Sequence, residues 1–490
     1  DISRNEIAYI EENKMLFPGI HIKVEPLRSY VYKDLAAHIL GYLGEVSKEK
    51  LKNSAYSKYA LGDMIGRNGL EDIYEFNLKG EKGFKEVEVD VSGRELKTLR
   101  KLPPESGDSL VLTLDVRVQK KLEEWMDEIS KEDPVEGSVV VMKVQTGEII
   151  AMVSKPSFDP NLFAAGISRT KWNGLLRDGK HPLQNRAIDG QYPPGSTYKL
   201  VTAYAALAEN LIDPESTIFC PGHFRLGRGR YRCWKKRGHG AVNLHDALVQ
   251  SCDVYFYTLG YRLGVDNLAK YAKKLGLGAR TGVRLNGEKP GLVPSIQWKK
   301  KARNKPWLPG ETISASIGQG YNLVTPLQNA SMVSTVANGG LLVKPYLVKK
   351  TEDSEGKVIQ EFFPEIVRNV EFDPEILKHL KEGLRGVVNE PRGTGRRARL
   401  KNIVVSGKTG TAQVVRMKDS DKINPEDETP YLFRDHAWFV AFAPYEKPEV
   451  AVSVIIEHGG HGGATAAPIA RKVLESYFTH YPPAKYDESG

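Results

Sequence analysis

Apolar residues cluster in runs near both ends of the larger, C-terminal part of this chain and take helical spacing in between. In GSVVVMKVQTGEIIAMVS, the runs Ser138 to Val144 and Glu148 to Ser154 flank a tight turn at Thr146 and Gly147, which predicts a β-hairpin. HAWFVAFAPYEKPEVAVSVIIEHG predicts a second, Ala437 to Ala443 against Glu449 to Ile456, followed by a closing helix from about Ala466 to Phe478. Strands at both ends with helices between them predict an α+β fold whose first and last strands come together. The first hundred residues read differently. EVEVDVSGRE alternates, which predicts a half-buried strand with Val87, Val89 and Val91 on one face. GDMIGRNGLEDIYEFNLKGEKG is dense in glycine and predicts turns or close backbone approaches at Gly62, Gly66 and Gly69. KLPPESGDSL, from Lys101 to Leu110, gathers prolines, a glycine and polar residues, and places a domain boundary that divides the chain into residues 1–105 and 106–490.

Composition narrows the picture only slightly. The chain has 490 residues, too many for one ordinary domain, and 40% of them are hydrophobic, enough for a substantial core. Its net charge of +9 comes from 70 basic residues interspersed with 61 acidic ones, so no basic, aromatic-interleaved tract marks a nucleic-acid surface. No apolar run reaches the roughly 18 residues of a membrane span. Three cysteines cannot all pair with one another, so disulfides are not the main source of stability.

The chemistry begins at DGQYPPGSTYKLVTAY. Pro193, Pro194 and Gly195 break the chain, and a helix follows with Val201, Tyr204, Ala205 and Ala208 at core-facing spacing. Ser196 then sits at a helix N-terminus, where free backbone N–H groups favour a developing oxyanion, and Lys199 projects to the same side one turn on. A lysine desolvated in a cleft can take a proton from a serine hydroxyl. The pattern S-x-x-K also occurs at Ser47, Ser168 and Ser354, where a helix-capping serine and a surface lysine explain it. What distinguishes Ser196 is its company: Ser251 with Asp253 in QSCDVYF, then Lys408, Thr409, Gly410 and Thr411 in VSGKTGTAQ.

These motifs, with SIGQGYNLVTPLQNA and the glycine-dense segment above, resemble the class B penicillin-binding proteins over nearly the whole chain. CPGHFRLG and RYRCWKKRGHG narrow the resemblance to the elongation-specific enzymes of that class. It implies a serine transpeptidase domain of the β-lactamase-like type, an antiparallel sheet flanked by helices, on an elongated N-terminal pedestal. It also implies a D,D-transpeptidase that cross-links peptidoglycan stem peptides and is acylated by β-lactams. In that reading Ser196 is the nucleophile, Lys199 the base and Ser251 a proton relay, with Lys408, Thr409 and Thr411 receiving the substrate carboxylate. Gly410 lets the strand edge approach the substrate closely, and the N–H groups of Ser196 and Thr411 form the oxyanion hole. Asp253 stands where the wider family more often has Asn, placing a carboxylate near Lys199. Catalysis needs no cofactor. The resemblance further implies a location on the periplasmic face of the cytoplasmic membrane, with an N-terminal anchoring helix ahead of Asp1. The implied partners are a SEDS-family glycosyltransferase and rod-shape scaffold proteins docking on the pedestal. A β-lactamase or β-lactam sensor would share the three motifs, but the pedestal resemblance favours a synthase.

The cysteines form the pattern C-x12-C-x5-H-x12-C: Cys220, Cys233, His239 and Cys252. A Cys3His set is a tetrahedral zinc donor list, although no C-x2-C pair is present. A Cys220 to Cys233 disulfide and plain core or loop residues are the alternatives. The intervening polar, glycine-rich segment has too little apolar content to hold itself. His458 and His461, in EHGGHGGATAAP, read as loop residues rather than metal ligands.

Overall fold

Apolar runs that do not alternate belong to strands buried on both faces, because each successive side chain must then find a core. A computed structural model describes residues 2–17, 20, 22, 27–91, 95–130, 135–414 and 431–483. The strands that matter here are β1 (Phe84–Val89), β2 (Glu95–Leu102), β3 (Glu136–Lys143), β4 (Ile149–Lys155), β5 (Ser406–Ala412), β6 (His436–Ala443) and β7 (Val450–Glu457). The last five form one antiparallel sheet in the order β5-β6-β7-β3-β4. β3 therefore lies beside β7, with Lys143 opposite Val450 and Glu136 opposite Glu457, as the two terminal hairpins predict.

The helices that matter here are α1 (Val116–Ser130), α2 (Lys199–Ala208), α3 (Leu244–Val249), α4 (Asp253–Lys274), α5 (Ile296–Arg303), α6 (Pro309–Ala315), α7 (Pro326–Ala337), α8 (Pro374–Asn389) and α9 (Ala466–His480). Val139, Val141, Phe439 and Val452 face one core, shared with α1 and α9. Val140, Met142, Trp438 and Val440 face the other, shared with α2, α4 and α7. This is the α+β sheet between helical layers that the pattern predicts.

The N-terminal part corrects one expectation. Among the described residues β1 pairs only with β2, and register shifts at Glu86/Val87 and Glu88/Val89 break the alternation. Val89 is 50% exposed and Val91 fully so, because among the described residues no layer covers them. The glycine reading holds. A side chain at Gly66 would meet the Glu71 carbonyl, and Gly69, at φ +63°, lies against Gly41.

Buried polar contacts tie the N-terminal part to the segment ahead of Ser196. The Ala36 N–H donates to Glu123 at 2.8 Å, and the Asn185 side-chain amide donates to the His38 carbonyl at 3.2 Å. Next to Asn185, the buried Arg186 donates to Glu457 at 2.7 Å and to Glu136 at 2.8 Å, clasping the ends of β7 and β3. Tyr192 donates to the same Glu457 oxygen at 2.6 Å. Arg186→Met would strand two mostly buried carboxylates facing each other. It is expected to cost about 3–5 kcal/mol, read as a lowered denaturant midpoint; an unchanged midpoint would show that the clasp is not structural.

Candidate active site

Two prolines and a glycine before Ser196 do more than break the chain. Gly195 has φ +55°, and a Cβ there would stand 2.6 Å from the Thr411 carbonyl, so only glycine lets this turn lie against β5. The Gly195 N–H donates to the Gly318 carbonyl at 3.0 Å, and the Trp438 indole donates to the Pro193 carbonyl at 3.0 Å. Ser196 lies in a 3₁₀ turn, Gly195–Tyr198, that runs directly into α2. α2 departs from the one-sided burial expected of it. Leu200, Thr202, Ala203 and Ala206 are fully buried along with Val201, Tyr204 and Ala205, because the helix runs between layers rather than on a surface.

That burial takes Lys199 with it, to 0% exposure. Its ammonium finds three oxygens: the Ser251 carbonyl at 2.8 Å, Ser251 Oγ at 3.0 Å and Asp253 Oδ1 at 2.7 Å. All three lysine protons are thus used, and among the described residues none goes to Ser196 Oγ. Ser251 presents both its oxygens because it sits at φ +55°, a left-handed turn between α3 and α4 that a serine adopts only when its surroundings enforce it. Asp253 opens α4, where the helix dipole favours its negative charge.

On the facing strand, Lys408 is also fully buried. Burial first, and the Lys199 charge second, push its pKa well below the usual lysine range, while Asp253 opposes the shift. Its ammonium donates to the Thr409 carbonyl at 3.2 Å. Thr409 is buried and shares a 2.8 Å hydrogen bond with Thr394, whereas Thr411 is half-buried beside the turn that carries Ser196. Gly410 also makes a close approach within the protein. A Cβ there would meet Trp438 at 2.8 Å and the Pro194 carbonyl at 3.0 Å, so its missing side chain makes room for the turn that carries Ser196.

Further residues join the site without a motif to announce them. The Trp234 N–H donates to Asp253 Oδ2 at 2.9 Å, and its indole donates to the Ser251 carbonyl at 3.0 Å. It thereby fixes the same carboxylate and carbonyl that hold Lys199. The Gln319 amide donates to the Thr411 carbonyl at 3.0 Å. Adjacency to Cys233 was the only sequence signal for Trp234, and position within SIGQGYN the only one for Gln319.

The four metal-ligand candidates converge. One donor atom from each of Cys220, Cys233, His239 and Cys252 lies within 4.8 Å of every other, and the three cysteines are buried and unpaired by disulfides. His239 Nδ1 stands 3.6 Å from Cys220 Sγ and 3.5 Å from Cys233 Sγ. A tetrahedral zinc with ordinary Zn–S and Zn–N bonds would separate such ligand atoms by roughly 3.5 Å. A hydrogen bond from Cys252 favours the Cys233 thiolate, lowering the Cys233 pKa and raising that of Cys252. The donor set therefore fits the ion. His223 lies outside the cluster, and His245 pairs with Glu390 at 2.8 Å. His458 donates its backbone N–H to His436 at 3.0 Å in the loop after β7, as a loop residue.

The chain is similar to known proteins over most of its length. Residues 137–475 match the penicillin binding protein transpeptidase domain, and residues 1–112 match the penicillin-binding protein dimerisation domain. The peptidoglycan D,D-transpeptidase MrdA of Haemophilus influenzae is 39% identical over 486 residues, covering 97% of this chain and 73% of that protein. Among solved structures, penicillin-binding protein 2 of Helicobacter pylori in complex with MreC superimposes with a TM-score of 0.81 at 32% identity. It covers 97% of this chain and 84% of that one. A chain from a peptidoglycan synthase complex that coordinates polymerization and crosslinking gives 0.78 at 33%, covering 99% and 82%. With both domains matched in order and identity sustained from end to end, the chain belongs to the class B penicillin-binding proteins, within the penicillin-binding protein 2 group.

Proposed function

We infer that this protein is a peptidoglycan D,D-transpeptidase working through a serine acyl-enzyme. The observation that carries the reading is the buried Lys199 ammonium shared by Ser251 and Asp253 one turn after Ser196. Ser196 Oγ attacks the carbonyl of the penultimate D-Ala of a stem peptide while its proton passes to Lys199, which must first have given one up. The N–H groups of Ser196 and Thr411 hold the oxyanion. Collapse breaks the peptide bond, and the departing D-Ala amine takes its proton through Ser251. An amine of a second stem then attacks the ester, returns a proton to the site and restores Ser196 Oγ–H. Thr409 and Thr411 hold the substrate carboxylate by hydrogen bonds, with Lys408 beside them on the same strand. A stem pentapeptide analogue tests this directly. Free D-Ala should be released in step with an amine-transfer product, and an enzyme that forms neither overturns the reading.

The same reading covers the rest of the molecule. The division lies after about residue 105, a reading supported by strand 109–112, which pairs with 348–352 of the larger part. The enzyme acts at the periplasmic face of the cytoplasmic membrane, where its substrate is, in lateral wall synthesis. Among the described residues no helix is long and apolar enough to cross a membrane. Its partners are a rod-shape scaffold protein and a glycan polymerase, supported by the relatives solved with MreC and in a synthase complex. Cys220, Cys233, His239 and Cys252 hold a structural zinc, which needs no part in the reaction. A zinc held there would link the Cys233–Trp234 loop to the Ser251 turn through Cys252, which lies between Ser251 and Asp253. Elemental analysis of protein purified without added metal should find about one zinc ion per chain, lost in Cys252→Ser together with slower penicillin acylation. Zinc-free protein with a Cys220 to Cys233 disulfide would refute the site.

A further inference from the structure

A groove of about 930 Å³ opens on the outer side of α6, lined by Tyr261, Val265, Ile296, Lys300, Lys305 and Trp307 among others. Its floor is rigid. The Trp307 indole donates to Thr312 Oγ1 at 2.8 Å, the Lys299 ammonium lies 5.7 Å from the Trp307 ring, and Tyr321 packs 6.1 Å away. Lys299 is itself buried and ion-paired with Glu311, so its charge is spent inside the fold. Lys300 and Lys305 are exposed, and among the described residues neither has a carboxylate partner. Tyr261 and Ile296 are about half exposed, 49% and 51%. Fixed aromatic faces bordered by unpaired cations form a surface suited to a ligand with flat apolar faces and carboxylates.

We propose that this groove binds an anionic glycopeptide, the disaccharide-peptide repeat of uncross-linked peptidoglycan, with sugar rings on Trp307 and Tyr261 and stem carboxylates at Lys300 and Lys305. The proposal rests on the transpeptidase reading for its choice of glycopeptide. Size agrees: clefts that hold small molecules and cofactors run from about 300 to 1,000 Å³. Reach agrees as well. Thr312, which holds Trp307, belongs to α6, and the turn after α6 carries Gly318 and Gln319, which touch Gly195 and Thr411. α6 is roughly 10 Å long. A stem of four or five residues extends roughly 13–18 Å, enough to lie with its glycan in the groove and its end at Ser196. An acidic protein segment would find the lysines equally attractive but would make no use of two aromatic faces held open.

The test separates groove from cleft. Protein first acylated with penicillin, so that the cleft is closed, is dialysed against a labelled disaccharide tetrapeptide, which lacks the terminal D-Ala needed for reaction. Saturable binding is expected, weakened at least about tenfold in Lys300→Glu/Lys305→Glu and in Trp307→Ala, with penicillin acylation rates unchanged in both. Failure of acylated protein to retain the muropeptide, or equal retention by the lysine variant, overturns the groove while leaving the enzyme reading intact. So does equal competition by a polyglutamate peptide, which would assign the surface to an acidic polypeptide. Failure of the wild-type chain to acylate overturns the enzyme reading instead. Should Trp307→Ala not fold, the lysine variant decides alone, because both side chains are exposed.

Discussion

Ser196→Ala protein exposed to penicillin is expected to emerge with its mass unchanged, whereas the unmodified chain gains one penicillin. Removal of a nucleophile in enzymes of this kind costs on the order of 10⁶ in rate, because no neighbouring group replaces the oxygen that must form the ester. The geometry makes the test clean. The turn is fixed by Gly195 and by hydrogen bonds from the Gly195 N–H and the Trp438 indole, none of which involves the serine hydroxyl. The variant should therefore melt as the parent does and still bind penicillin reversibly. A covalent adduct on Ser196→Ala would place the nucleophile elsewhere.

Lys199→Met should slow acylation by about 10²–10⁴, the usual share of a general base. It also leaves Asp253 buried without its cation, so lost activity alone would not separate chemistry from packing. Lys199→Arg resolves this. It keeps a positive charge beside Asp253 and Ser251 but cannot give up a proton near neutrality. If the lysine is the base, the arginine variant recovers thermal stability and stays as slow as the methionine one. Recovery of acylation by arginine would mean that Lys199 merely holds the motif together.

Much of this site is legible in the sequence because its parts sit at short, fixed spacings on elements with strong patterns. Ser196 and Lys199 share one helical turn, Ser251 and Asp253 one helix start, and Lys408 to Thr411 one strand. The sheet was legible for the same reason, since uninterrupted apolar runs leave few other fates. What escaped depends on contacts between distant segments. Thr394 and Trp234 act through single hydrogen bonds to Thr409, Asp253 and Ser251, and nothing in the spacing of hydrophobic residues records such a bond. The ribbon of β1 and β2 misled because alternation shows which residues share a face, not whether anything covers it. At Gly410 the sequence could not show that the turn carrying Ser196 also lies close by, because that contact too joins distant segments.

The pairing of β3 with β7 has a consequence for the order in which the molecule can be made. Lys143 and Val450 are neighbours in the sheet yet about 300 residues apart in the chain, a separation that makes their pairing late and slow. While the chain emerges residue by residue, β3 can pair with β4 but its other edge waits for nearly everything else to arrive. Until then an unpaired edge of consecutive valines stands open, the kind of surface that attracts other strands. A chain released before β7 is complete would thus be a species for chaperones and proteases rather than a partly active enzyme.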